Sequence, residues 1–194
     1  AFILGNTPSL NDFNLSKLDG HFTIGINRAI YKIDPTILLW QDKDIYNYEK
    51  HIIDKSKSLK VCRDIADPMS KFFHFKLKQG YYKRTQDPSI LHGRGSSGPL
   101  AVQFADAIGC NPIYLLGMDC LTRSGDTDFY GKNIFWKPHT RKNCLSGLKW
   151  IENAFSDKEI YNLSKRKDIN FEEILSNIKR KKKGREYYLK KLFS

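Results

Sequence analysis

No stretch of this sequence is long and apolar enough to span a bilayer. The longest apolar runs, such as Ile113–Met118, fall well short of the ~20 residues a membrane helix needs. The chain opens directly on an apolar run, Ala1–Leu4, so no secretory leader is expected and a start slightly upstream is. The four cysteines, Cys62, Cys110, Cys120 and Cys144, include no C-x-x-C pair, which argues against a zinc ribbon or a dithiol redox motif. Four isolated thiols suit a reducing cytoplasm, with buried structural cysteine the expectation for each. No metal-ligand set is expected either. Asp42-Lys43-Asp44 has D-x-D spacing but follows an early strand and reads as a helix start. No Ser–His–Asp order and no internal repeat occur, and Gly 13 with Pro 7 is too little for a collagen-like chain.

What is there points to one globular unit. A length of 194 residues allows a sizeable core but not two ordinary domains. A hydrophobic content of 40% is too high for a disordered chain. The net charge of +12 is unevenly placed: residues 179–194 hold eight basic side chains and one acidic, leaving +5 for the other 178 residues. The excess is therefore mostly a property of the tail, and no specific nucleic-acid surface is expected. With Ile178, Leu189, Leu192 and Phe193 among the lysines, the tail has the make-up of a segment that lies on an anionic membrane; the alternative is a solvated charged face.

Short apolar runs alternate with helical patterns, the signature of βαβ units. Strands are expected at 1–4, 22–26, 36–40, 59–62, 112–116 (a central strand) and 160–163. Ile45, Tyr48, Ile52 and Ile53 mark the apolar face of a helix after Trp40, and Leu145, Leu148, Ile151 and Phe155 that of a late one. Gly93-Arg94-Gly95-Ser96-Ser97-Gly98-Pro99 reads as a turn opening a buried helix, capped by Ser96 or Ser97. Residues 64–95 fit no clear period and are taken as a possible irregular insertion or lid; residues 120–138 are taken as a long loop. The expected fold is α/β, a Rossmann-like, mostly parallel sheet with helices on both faces. A single nucleotide-binding domain is placed over 1–170 and a basic C-terminal helix over 171–194.

In open α/β sheets ligands bind where strands end. Those ends carry Gly5, Asn6 and Ser9, then Asn27, Gln41 with Asp42, Asp119 and Asn162. All suit a phosphate and ribose crevice, although neither a G-x-G-x-x-G fingerprint nor a P-loop is present. Ser96, Ser97 and Gly98 place a helix N-terminus there, a ready anion site, and Arg94 beside it can clamp a carboxylate or phosphate. His139, expected in a loop just ahead of a helix, has the chemistry of a general base for a hydroxyl nucleophile. His21, His51, His74 and His92 lack such a context and are left as surface or core residues.

These anchors together resemble the bacterial lipooligosaccharide sialyltransferases that use CMP-sialic acid. Their G-N-x-P-S-L opening is matched by Gly5-Asn6-Thr7-Pro8-Ser9-Leu10, and their asparagine after the second strand by Asn27. Their R-x-[TS]-S-G turn is matched by Arg94, Ser96, Ser97 and Gly98, and their G-[IM]-D strand end by Gly117-Met118-Asp119. Their histidine nine residues ahead of a helical leucine is matched by His139 and Leu148. The resemblance implies a metal-independent glycosyltransferase of lipopolysaccharide biosynthesis; the isolated thiols and the basic tail place its expected setting in the cytoplasm, at the inner membrane surface. Its partners would be a CMP-sugar donor and a glycan acceptor. His139 would be the base, Arg94 an acceptor or carboxylate contact, and Asn6, Asn27, Ser96, Ser97 and Gly98 the nucleotide contacts. Leu121 stands where the family has a phosphate-binding tyrosine, leaving Tyr130, further along the loop, for that role.

Two other readings stay open. The opening loop, Asp42 and the G-x-D strand also resemble 6-hydroxymethylpterin pyrophosphokinase-like proteins, which implies Mg²⁺ and a nucleoside triphosphate held by Asp42 and Asp119. The third reading is a non-catalytic binding protein that acts through its basic tail.

Overall fold

Ile37-Leu38-Leu39-Trp40 has no polar residue on either face, the composition of a strand covered on both sides, and all four residues are fully buried. The computed structural model, which describes residues 1–67, 69–133, 138–165, 170–178 and 190, places that strand inside one parallel sheet. Its strands are β1 (Phe2–Leu4), β2 (Thr23–Ile26), β3 (Ile37–Trp40), β4 (Leu59–Arg63), β5 (Phe73–Gln79), β6 (Ile90–Gly93), β7 (Ile113–Leu116) and β8 (Ile160–Asn162). The order across the eight-stranded sheet is β6-β5-β4-β3-β2-β1-β7-β8. Every pairing is parallel, so all strands end on one edge.

The chain builds outward from β1 to β6 and then crosses to the other side of β1 for β7 and β8. That reversal puts the topological switch point between β1 and β7. β7, expected as a central strand, is interior but next to the edge strand β8.

Alternation along each strand feeds two layers. Ile3, Ile24, Ile26, Leu39, Val61 and Leu115 face α2 (Ser97–Ala107) and α3 (Pro138–Ala154). On the other face, Leu38, Trp40 and Cys62 pack with Ile53 of α1 (Lys43–Ile53). Phe2, Leu4 and Leu116 meet the 3-10 turns Pro8–Asp12 and Leu15–Leu18, together with α4 (Phe171–Asn177). Helices thus cover both faces, as expected. Among the described residues, no helix is long and apolar enough to cross a membrane.

Several expectations need correction. Residues 64–95 are not an irregular insertion: they carry β5 and β6. Phe73, Phe75 and Leu77 alternate with His74, Lys76 and Lys78 and point their apolar members into the core, the period of a strand near a sheet edge. In α1, Tyr48 is 58% exposed, and the inward position one residue later belongs to Glu49. In α3, Leu145 lies at the surface while Leu148, Ile151 and Phe155 are buried. Two of the four cysteines are not free: Cys120 and Cys144 are disulfide-bonded across a Cα–Cα distance of 6.7 Å, because α3 packs beside the loop leaving β7. Cys62 and Cys110 are buried thiols. Of the basic C-terminal helix, α4 and residues 178 and 190 fall within the described residues; 179–189 and 191–194 lie outside them.

Candidate active site

The strand ends at the switch point are held together by backbone contact. The amide of Gly5 donates to the carbonyl of Leu116 at 2.8 Å, and that of Thr7 to Gly117 at 3.1 Å. A Cβ on Gly5 would run into the Gly117 carbonyl and sit 2.6 Å from the Met118 Cγ, so this glycine serves the approach of two chain segments. Its neighbour Asn6 carries the polar side chain at this strand end. Asn6 projects a side-chain Oδ1 that is buried and has no hydrogen-bond partner among the described residues. Ser9, also expected to face a ligand, is buried and shares a 3.0 Å hydrogen bond with Thr7.

One strand over, Asn27 starts the 3-10 turn Asn27–Tyr31 with φ at +50°, a left-handed conformation that asparagine tolerates better than most residues. Its Oδ1 is likewise buried and unpartnered. At the end of β8, Asn162 uses its amide nitrogen on the Met118 carbonyl at 3.1 Å, while its Oδ1 has no partner among the described residues. Three asparagine carbonyls in a row of strand ends thus face a need for donors that the described residues do not meet. A buried acceptor left unpaired costs roughly 1–3 kcal/mol, so each of these groups calls for a partner such as a water, an ion or a ligand.

The first turn of α2 reaches the same edge. Gln41, 3% exposed at the end of β3, donates from Nε2 to the Ser97 Oγ at 3.0 Å. Ser96 occupies the N-cap position but makes no side-chain cap bond, so the first amides of α2 stay available to an anion. Gly98 lies against Met118, whose Cε is 2.9 Å from the position a Cβ would take. Asp119 is buried, with Oδ1 accepting from the Leu121 amide at 3.3 Å.

The 120–133 loop folds back over β1 and β2. The Phe129 amide donates to the Asn6 carbonyl at 2.7 Å, and Asn11 Nδ2 donates to the Phe129 carbonyl at 3.1 Å. Tyr130 is thereby brought beside Arg28, which donates from Nη1 to the phenol oxygen at 3.3 Å and sits over the ring. Burial pushes the Tyr130 phenol up to about 12 against the opposing pull of Arg28, with the Asp128 carboxylate adding to the rise. It is therefore a protonated O–H donor at neutral pH. Arg28 is in turn held by Glu49. Sequence reasoning missed Arg28, whose one signal was its place directly after Asn27.

His139 lies in the first turn of α3 rather than in the loop ahead of it, and it is exposed. Asn143, one helical turn on, donates from Nδ2 to the Arg94 carbonyl at 2.9 Å, which puts His139 and the exposed Arg94 on the same rim. Asp42 and Asp119 are not brought together. They end β3 and β7, three strand spacings or about 14 Å apart, and they share no ligand cluster among the described residues.

No family model matches the chain, and neither does any curated protein. Solved structures do. The sialyltransferase CST-II in complex with a trisaccharide acceptor and CMP matches over 84% of this chain and 80% of that one, with a TM-score of 0.51 and 17% identity. CstII from Campylobacter jejuni in complex with the substrate analogue CMP-3FNeuAc gives a TM-score of 0.51, with 84% and 81% covered at 17% identity. A single-substitution variant of CST-II in complex with CMP gives 0.52, with 84% and 81% covered at 17% identity. The chain has the fold of these sialyltransferases. At this identity the likeness concerns architecture, and the sialyltransferase fold is the doubly covered parallel sheet expected from the alternation of strands and helices.

Proposed function

We propose that this chain is a glycosyltransferase that moves a CMP-activated acidic sugar of the sialic-acid type onto a glycan hydroxyl. One observation carries the reading: Asn6, Asn27 and Asn162 present buried, unpartnered carbonyl oxygens along the strand ends. The amino group of a cytosine and the hydroxyls of a ribose are donors of the kind they lack. The fold likeness to proteins solved with CMP and an acceptor supports it.

In this reading His139 takes the proton of the acceptor hydroxyl as that oxygen bonds to the anomeric carbon. The bond from that carbon to the phosphate oxygen breaks, and CMP leaves with the electron pair. Charge builds on the departing phosphate, and fixed donors stabilise it best: the free amides at the start of α2, the phenol of Tyr130 and, beside it, Arg28. Arg94 clamps a carboxylate on the donor or acceptor. Gln41 orients Ser97, and no metal takes part. The acceptor is a surface glycan of the lipooligosaccharide type, and the tail 179–194 holds the enzyme against the anionic face of the inner membrane.

A thermal-shift titration with CMP, CDP, ATP and GTP, each with and without Mg²⁺, tests the donor class, since a ligand that binds the native state raises Tm by mass action. Stabilisation by CMP that ignores Mg²⁺ supports the reading. Stabilisation by ATP or GTP only with Mg²⁺ replaces it with the pyrophosphokinase-like one. His139→Ala is expected to lower turnover of CMP-sialic acid by about 10²–10⁴-fold at unchanged CMP affinity; unchanged turnover removes the histidine from the chemistry.

A further inference from the structure

We propose that Cys62, Asp67 and His74 form a binding site for a divalent transition-metal ion of the zinc class, separate from the sugar-transfer crevice. The parallel register places Cys62 of β4 directly against His74 of β5, so the two side chains leave the sheet on the same face. The chain then turns through the 3-10 segment Asp64–Ala66 and lays Asp67 over them. One donor atom from each of the three lies within 4.8 Å of the other two. A tetrahedral ion with ligands at roughly 2.0–2.3 Å asks for that scale of separation.

The surroundings are those of a built pocket. Cys62 is wholly buried and Asp67 is 3% exposed. The side chain of His74 is 25% exposed and gives the one side open to solvent. Asp67 Oδ2 accepts from the Phe72 amide at 2.8 Å and sits 3.0 Å from His74 Nε2, so the carboxylate is already aimed and anchored, as metal ligands are. Trp40, Tyr46 and Phe72 pack on one another nearby, on the face of the sheet that Cys62 shares.

A thiolate, an imidazole and a carboxylate make a mixed donor set that suits Zn²⁺ and its neighbours, not Mg²⁺ or Ca²⁺. Charge balances as well: a divalent ion offsets one thiolate and one carboxylate, leaving a neutral cluster that tolerates burial. Without a cation, burial and the carboxylates of Asp67 and Asp64 push the Cys62 thiol up to about 12, so it keeps its proton. On binding, the S–H bond breaks, the proton goes to solvent and a metal–sulfur bond forms. His74 ligates through Nε2 with its proton on Nδ1, Asp67 supplies an oxygen, and water fills the fourth position from the exposed side. The ion would tie the Asp64–Ala66 turn that leaves β4 to the start of β5, beside the end of β3, which Gln41 follows.

The test uses the full chain, freed of metal with a chelator and titrated with Co²⁺ without reductant, so that Cys120 and Cys144 stay paired. The expected result is a cobalt–thiolate charge-transfer band that saturates at one equivalent, is displaced by Zn²⁺ and is unaffected by excess Mg²⁺. Cys62→Ser and His74→Ala, checked for folding by circular dichroism, lose the band, while Cys110→Ser keeps it. Zn²⁺ raises the Tm of the parent chain and not that of His74→Ala. No band in the folded parent chain, or a band that survives in Cys62→Ser, overturns the proposal. The CMP titration reads the crevice independently of either result.

Discussion

At its last turn α2 carries Asp106, whose side chain is fully buried and surrounded by cations. Arg84 grips it with two hydrogen bonds of 2.7 and 3.0 Å, and Lys158 approaches to 3.1 Å. Arg84 also reaches Asp157 and lies over the ring of Phe155. At the other end of the same helix, roughly 16 Å away, polar groups are just as abundant and are left incomplete. The N-cap side chain of Ser96 makes no cap bond, and three asparagine carbonyls along the neighbouring strand ends have no partner among the described residues. One end satisfies its charges internally and so serves stability. The other leaves polar groups incomplete, which is what the proposed CMP site would use.

The sharpest way to break this contrast is to damage the paired end. Arg84→Ala leaves Asp106 buried with Lys158 alone, and a loss of about 3 kcal/mol in unfolding free energy is expected. CMP affinity per folded molecule should not change; denaturant melts together with a CMP titration check both. Next come the strand-end carbonyls. Asn6→Ala should weaken CMP binding by roughly 5–150-fold, the effect of about 1–3 kcal/mol from a lost buried hydrogen bond, while Tm stays nearly constant.

Asn27→Gly separates function from stability more finely. Glycine accepts the left-handed backbone of Asn27 without strain, so a gain of about 0.5 kcal/mol in stability is expected together with weaker CMP binding. Reduced stability in that variant would show that Asn27 belongs with the structural polar groups. The smallest effect concerns Asp34, an acid on the paired side of the comparison. Burial works against its ionised form, but hydrogen bonds from Ser56, the Lys57 amide and Ser58 hold its carboxyl below the usual range. A lowered pKa gives stability that is full above the unfolded value near 3.9 and is lost as pH falls through the folded value. Asp34→Asn should therefore lower Tm slightly at neutral pH, and the difference should shrink as pH falls below the ordinary carboxylate range.

Much of the fold was legible because local composition carries it. Val, Ile and Leu runs such as Ile37–Leu39 and Ile113–Leu116 read as strands buried on both faces, and turns such as Gly5-Asn6-Thr7-Pro8 mark where they stop. The region 64–95 was misread because the alternation of Phe73, Phe75 and Leu77 is interleaved with lysines on an outer strand, where one face meets less protein. Of the site, the strand-end asparagines and the Ser96–Ser97 turn were visible as polar residues directly after apolar runs. Arg28 was not, since an arginine after a strand looks the same whether or not Tyr130 arrives from 102 residues away. The pairing of Cys120 with Cys144 was hidden for the same reason.

The sequence by itself determined where most strands and helices outside 64–95 form, and which small polar residues end those strands, because these follow from periodicity and turn chemistry over a few neighbouring residues. Only the tertiary structure decided strand order and register, and with them what meets what. Gly5 lies against Gly117, Ser9 shares a hydrogen bond with Thr7, and Cys62 stands opposite His74 with Asp67 close to both. Such long-range pairings depend on how the parallel strands stack against one another, and no local pattern in the chain encodes which distant residue will occupy the adjoining place.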